Sequence, residues 1–144
     1  MLEKITKITQ KFDSLQDLSL LFLRLILAYG FYMPAVNKWK NMEGIAQWFD
    51  SMNYPLPLLN AYLAGTTEAA GVLLLLLGLG TRLISIPLMF TMLVAIFTVH
   101  MGNGFAAGDN GFEIPLYYFL MLFVLMAYGS GKYSIDFIMK KMHG

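Results

Sequence analysis

Residues Leu56–Leu79 read LPLLNAYLAGTTEAAGVLLLLLGL, an apolar run that carries a single charged side chain, Glu68. A spanning helix needs about 17–25 predominantly apolar residues, and this stretch supplies them. On a wheel at about 100° per residue, Ala61, Ala64, Gly65, Gly71 and Leu75 fall within about 60° of Glu68. The carboxyl therefore shares its face with the small residues of the run. An ionised side chain facing lipid at a helix centre costs about 2.5–3.5 kcal/mol. Glu68 is expected to point into protein or water, and Ala61, Gly65 and Ala69, at small-xxx-small spacing, allow another helix to come close.

Three further runs flank this one, at Leu18–Val36, Leu83–Val99 and Ile114–Tyr128. Together they explain a composition that is 58% hydrophobic and 13% charged over 144 residues, against about 45–50% and about 25% in soluble domains. Mean hydropathy is +0.61. A net charge of +1 leaves no basic excess for a nucleic-acid partner, and the absence of cysteine excludes disulfides and thiol redox chemistry within the chain. A β-barrel would need alternating polarity and more strands than this length allows. The first run has a polar, charged lead and no small-residue cleavage site after it, so it reads as a retained span rather than a signal peptide. The expected fold is an all-α integral membrane four-helix bundle with a short interfacial helix between spans one and two, a single domain over residues 1–144 with spans near 18–36, 56–79, 83–99 and 114–128.

The link Gly78-Leu79-Gly80-Thr81 is only long enough to reverse the chain, which makes the second and third spans antiparallel neighbours. Lys4, Lys7, Lys11, Arg82, Lys132, Lys140 and Lys141 fall on one side of a four-span arrangement and only Lys38 and Lys40 on the other. The positive-inside rule then puts both termini in the cytoplasm, across the inner membrane. In the loop Asn37–Pro55, Ile45, Trp48, Phe49 and Met52 recur at i, i+3, i+4 and i+7, the stripe of a short amphipathic helix. Such a helix lies at the membrane–water interface or folds as a lid over the bundle. Pro115 opens the fourth span, where its missing N–H is harmless.

Two charges interrupt the spans, Arg24 and Glu68, and a salt bridge between them is one expectation; the other is that Glu68 exchanges a proton or binds a polar ligand. Lys38, His100, Asp109, Asn110, Glu113 and Tyr117 sit at the outer ends of the spans and are expected to converge on one mouth. There His100 can transfer protons near neutral pH, with Glu113 as partner, or merely cap a helix. One His and two carboxylates would make a sparse metal site, but no metal-ligand spacing is present, and with His100 and His143 the only histidines a two-haem anchor is excluded.

Three stretches resemble the DoxX family of small bacterial membrane proteins. They are Leu23-Arg24-Leu25 through Gly30 to Asn37-Lys38; Glu68-Ala69-Ala70-Gly71 running into Leu77-Gly78-Leu79-Gly80-Thr81-Arg82; and Ala95–His100, Gly104-Phe105, Asn110-Gly111, Glu113 and Gly131-Lys132-Tyr133-Ser134-Ile135-Asp136. The resemblance covers most of the chain. It implies four membrane helices and an oxidoreductase description, and a related protein, DoxD, is a subunit of a thiosulfate:quinone oxidoreductase. The family pattern falls on Arg24, Lys38, Glu68, Arg82, His100, Asn110 and Glu113. From this we expect a membrane subunit that binds a quinone or another apolar small molecule among its helices. Glu68 and His100 would be the proton-exchanging groups and Arg24 would set the charge state of Glu68. Arg24, Lys38, Asn110, Glu113 and Tyr117 would contact the ligand, with the lipid bilayer, a redox partner protein and a second copy of the chain as associates. The alternative is a non-enzymatic membrane anchor or assembly adaptor.

Overall fold

The computed structural model describes residues 1–144 and is helical throughout, with no strand. Its elements are α1 (Leu2–Gln10), α2 (Gln16–Lys40), α3 (Met42–Ser51), α4 (Pro57–Leu77), α5 (Thr81–Ala95), α6 (Glu113–Tyr128) and α7 (Ile135–His143). A 3₁₀ turn joins α1 to α2, making one rod over Leu2–Lys40, and a π-helical turn over Ile96–His100 extends α5. Leu2–Lys40, Pro57–Leu77 and Thr81–Asn103 are long and apolar enough to cross a membrane, while α6 is apolar but shorter. The helical residues before Gln16, which precede the first apolar run, were not anticipated. Their helix is supported by local pairs such as Glu3–Lys7 one turn apart at 3.0 Å rather than by packing, since α1 buries nothing.

Helix limits reflect local chemistry. Pro57 opens α4 at a position that needs no N–H, and Gly78 closes it in the left-handed region at φ +66°. A β-carbon at Gly78 would also overlap Arg24 and Ser134, so the position demands glycine twice over. Asn41 starts α3 by accepting the Gly44 N–H at 3.1 Å, and Ser134 starts α7 by accepting that of Phe137 at 3.2 Å.

Packing runs α2 on α4, α4 on α5, α5 on α6 and α6 back on α2, and all four helices feed one core. Leu27, Ala28 and Phe31 of α2 meet Leu75 of α4, Leu88 and Met92 of α5, and Leu122 and Leu125 of α6. The small-residue face of α4 faces inward as expected, with Ala61, Gly65, Glu68, Gly71 and Leu75 all buried. The outer faces leave Phe22, Ile26, Leu73 and Phe123 exposed, which suits contact with lipid tails. Helix α3 takes the lid arrangement: Met42 and Phe49 are buried against Ala61 of α4, and Ile45 packs alongside. Trp48 of its stripe remains exposed.

At the other end of the helices the reversal between α4 and α5 is clasped by the C-terminal segment. Asp136 accepts the Gly80 N–H at 2.8 Å, the Thr81 N–H at 3.2 Å and the Ser130 hydroxyl at 3.1 Å, and donates its own N–H to the Gly78 carbonyl at 3.0 Å. Arg24, fully buried, donates to the carbonyls of Leu75 (3.1 Å) and Tyr133 in the same clasp. Asp136→Ala is therefore expected to lower stability by about 2 kcal/mol, the worth of hydrogen bonds to a charged acceptor. Denaturant unfolding of the protein in detergent checks this, with faster proteolysis of α7 as a second sign.

Candidate functional site

The site grows from one close approach. Gly65 has no side chain, so the last turn of α2 lies against it, with Lys38 Cβ, Trp39 Nε1 and Met42 Cε at 3.3–3.4 Å from where a β-carbon would stand. Three residues further along α4, on the same face, is Glu68. The approach brings Lys38 Nζ to 3.1 Å from Glu68 Oε1 and 3.0 Å from Oε2, a fork in which both carboxylate oxygens accept. The Glu68 side chain is 4% exposed and that of Lys38 16%. A pair so poorly solvated is held by mutual attraction, because either charge alone in that setting is costly.

The pair lies in the wall of a cavity of about 660 Å³ bounded by α3, α4, α5 and the π-helical turn. Apolar groups predominate: Phe49, Leu63, Ala64, Phe90, Met92 and Val94 line it. Polar side chains are set among them, namely Lys38, Tyr54, Asn60, Thr67, Glu68, Thr91, Thr98 and His100. Trp48 and Phe49 bring α3 over the cavity, and Tyr54 hydrogen-bonds the Thr98 hydroxyl, tying the loop after α3 to the end of α5. The π-helical turn matters here. Inserting an extra residue into the helix re-aims the side chains beyond it, and Thr98, Val99 and His100 of this turn all face the cavity. His100 Nδ1 lies 2.9 Å from the Asn110 carbonyl, which fixes the ring with Nδ1 as donor and leaves Nε2 without a protein partner.

Of the residues singled out from sequence, Lys38, Glu68 and His100 share this cavity. The others do not converge there. Arg24 was expected to govern Glu68, but its guanidinium bonds to Leu75, seven residues beyond Glu68 and so about 10 Å along the helix axis. Its long side chain extends toward the clasp, where free carbonyls accept its protons. Asn110 reaches the site only through its carbonyl, and Glu113 turns back to accept the Ala107 N–H at 3.1 Å, stabilising the loop that holds His100. Tyr117, one turn on, packs against Phe105 of that loop. The reason is the loop's own tight fold: backbone bonds from Gly111 to Ala106, Phe112 to Gly104 and Glu113 to Phe105 draw it onto itself rather than across the mouth. His100, Asp109 and Glu113 do not gather as a metal-ligand cluster. Tyr54, Thr67, Thr91 and Thr98 were not anticipated, since isolated hydroxyls in apolar runs carry no periodic signal.

Residues 19–101, from the first apolar run to the residue after His100, match the DoxX family model. The chain belongs to the DoxX family. With three helices of spanning length, this DoxX chain is a membrane protein. An uncharacterized protein of Haemophilus influenzae is 33% identical over 129 residues, covering 87% of this DoxX chain and 85% of its own. A second uncharacterized protein of the same organism is 31% identical over 121 residues, with 81% and 87% covered. The "Putative oxidoreductase CatD" of Bacillus subtilis is 32% identical over 100 residues, with 69% and 72% covered. No solved structure matches.

Because each charge of the pair is the other's solvation, Lys38→Met is expected to destabilise the folded protein by about 3–5 kcal/mol, and the double variant Lys38→Met/Glu68→Met to cost less than that single one. Denaturant titrations of wild type, both single variants and the double variant in one detergent measure the coupling. A double variant as damaged as the sum of the singles means that the two side chains do not interact.

Proposed function

We propose that this protein is the quinone-binding membrane component of an oxidoreductase assembly. In this reading α2, α4, α5 and α6 all cross the inner membrane, with both termini in the cytoplasm. The observation that carries it is the cavity itself: about 660 Å³, walled mainly by apolar side chains, with one buried ion pair and one histidine on its surface. Small-molecule sites have this size and this sparse placement of polar groups. A quinone, with an apolar ring and tail and two carbonyl oxygens, matches such walls. The name carried by the Bacillus subtilis relative, an oxidoreductase, agrees with it.

When bound, a quinone supplies two-electron, two-proton redox chemistry; the chain's own part is to bind, orient and handle protons. Lys38 has three N–H donors, of which two point at Glu68, leaving one for a ligand oxygen. Glu68 holds that ammonium in place. His100, held through Nδ1, offers Nε2 as a proton acceptor where the cavity meets the end of the helices. Helix α3 and Tyr54 restrict water entry on the same side. Electrons come from a partner protein, since this chain carries no cysteine and only two histidines.

Trp48 lines the cavity, whereas Trp39 packs edge-on against Tyr62 outside it. Titrating a short-chain quinone into the purified protein is expected to give saturable quenching of Trp48, retained in Trp39→Phe and lost in Trp48→Phe. Glu68→Gln is expected to weaken binding about tenfold, or about 1.4 kcal/mol. Ala64→Phe, which puts a ring into the cavity one turn from Glu68, should abolish binding while the helix signal stays intact. Wild-type protein that shows no saturable quenching overturns the ligand site and favours the adaptor role.

A further inference from the structure

A second hollow, of about 560 Å³, lies at the opposite end of the helices, beside the clasp. Three elements deliver a cation to it: Arg82 from the first turn of α5, Lys132 from the loop after α6, and Lys140 from α7. Two carboxylates, Asp17 and Asp136, also border it, but both are engaged. Asp136 takes two backbone N–H groups and the Ser130 hydroxyl, and Asp17 takes the Lys132 N–H at 3.0 Å with Lys132 Nζ at 3.9 Å. The ion pairs of the chain are Glu3–Lys7, Lys38–Glu68 and Asp17–Lys132, so Arg82 and Lys140 have no anionic partner. Arg82 lies over Gly129, at φ +84°, where a β-carbon would stand 3.0 Å from its Nε. The glycine leaves the guanidinium its place, and the hollow is completed by the polar backbone of Gly129–Lys132. The rim is apolar and exposed, formed by Leu83, Tyr128 and Phe137.

A guanidinium and an ammonium without counter-ions, set in a polar hollow at the ends of membrane-crossing helices and bordered by apolar side chains, match one kind of molecule. It has an anionic phosphate ester at one end and hydrocarbon at the other. We propose that this hollow holds the headgroup of an anionic phospholipid, with Arg82 and Lys140 on the phosphate and the acyl chains running past Leu83 and Tyr128. Basic hollows between helix ends at a membrane surface serve this purpose generally. Arg82 takes the phosphate oxygens as a fork, and Lys140 adds a second charge from a different element. A bound lipid would thereby bridge α5 to α7 across the clasp.

The test is native mass spectrometry of the full chain in mild detergent, titrated with phosphatidylglycerol, phosphatidylcholine or inorganic phosphate. The expected result is about a tenfold preference for phosphatidylglycerol over phosphatidylcholine, no displacement by inorganic phosphate, and loss of the preference in Arg82→Gln/Lys140→Gln. Lys4→Gln/Lys7→Gln, which removes the same charge from α1, is expected to keep it. A preference that survives in Arg82→Gln/Lys140→Gln, or falls equally in the α1 control, overturns the site in favour of diffuse attraction. Binding or displacement by inorganic phosphate overturns the lipid assignment in favour of a soluble phosphate. Should the double variant lose its helix signal, Lys140→Gln alone, an exposed side chain without a partner, carries the same comparison.

Discussion

A carboxylate that stays ionised out of water needs a counter-charge beside it, and the Lys38–Glu68 pair meets that demand here. Much of the α3 end of the molecule depends on it. For the pair to form, the end of α2 must approach α4 closely, and Gly65 with buried Ala61 permits this. The same approach brings Met42 against Ala61, which seats α3 on α4 and sets Trp48 and Phe49 over the cavity. Ion pair, lid and cavity are consequences of a single helix contact.

The other end is organised on a different principle. Arg24 is as deeply buried as Glu68, yet it meets no carboxylate directly; its protons go to the carbonyls of Leu75 and Tyr133. Asp136, three residues beyond Tyr133, closes the circuit by taking the free amides of the Gly80–Thr81 turn. Charge is dispersed through backbone dipoles, which suits a structural joint. The Lys38 end instead leaves a lysine N–H and a histidine nitrogen facing open volume, and this asymmetry is the reason to propose chemistry at that end and anchoring at the other.

Much of this was legible in the residue order. The inward turn of Glu68 came from its small-residue face, and the structure buries that face as a unit. The tight reversal at Gly78–Gly80 and the stripe of α3 were equally plain, because each depends on neighbours within a few residues. What failed was convergence. Lys38, His100, Asp109, Asn110, Glu113 and Tyr117 share a rank along the spans, which suggested one mouth, whereas the loop Met101–Phe112 folds onto itself through its own backbone bonds and takes Glu113 with it. A side chain's height along a helix says nothing of its azimuth, and a loop's length says nothing of where it folds.

By itself the sequence determined the helical class, the membrane setting, and the need for Glu68 and Arg24 to be enclosed, because apolar run length and the cost of charge in lipid are properties of composition and local order. Only the tertiary structure decided who answers each charge. Arg24 was the partner expected for Glu68 and Lys38 is the one that holds it, and the choice rests on the crossing of α2 over α4 at Gly65 and on an arginine side chain directed toward the clasp rather than toward the carboxylate. That choice is a matter of distances between residues thirty or more apart in the chain. Local pattern sets which groups must be paired; packing alone sets the pairs.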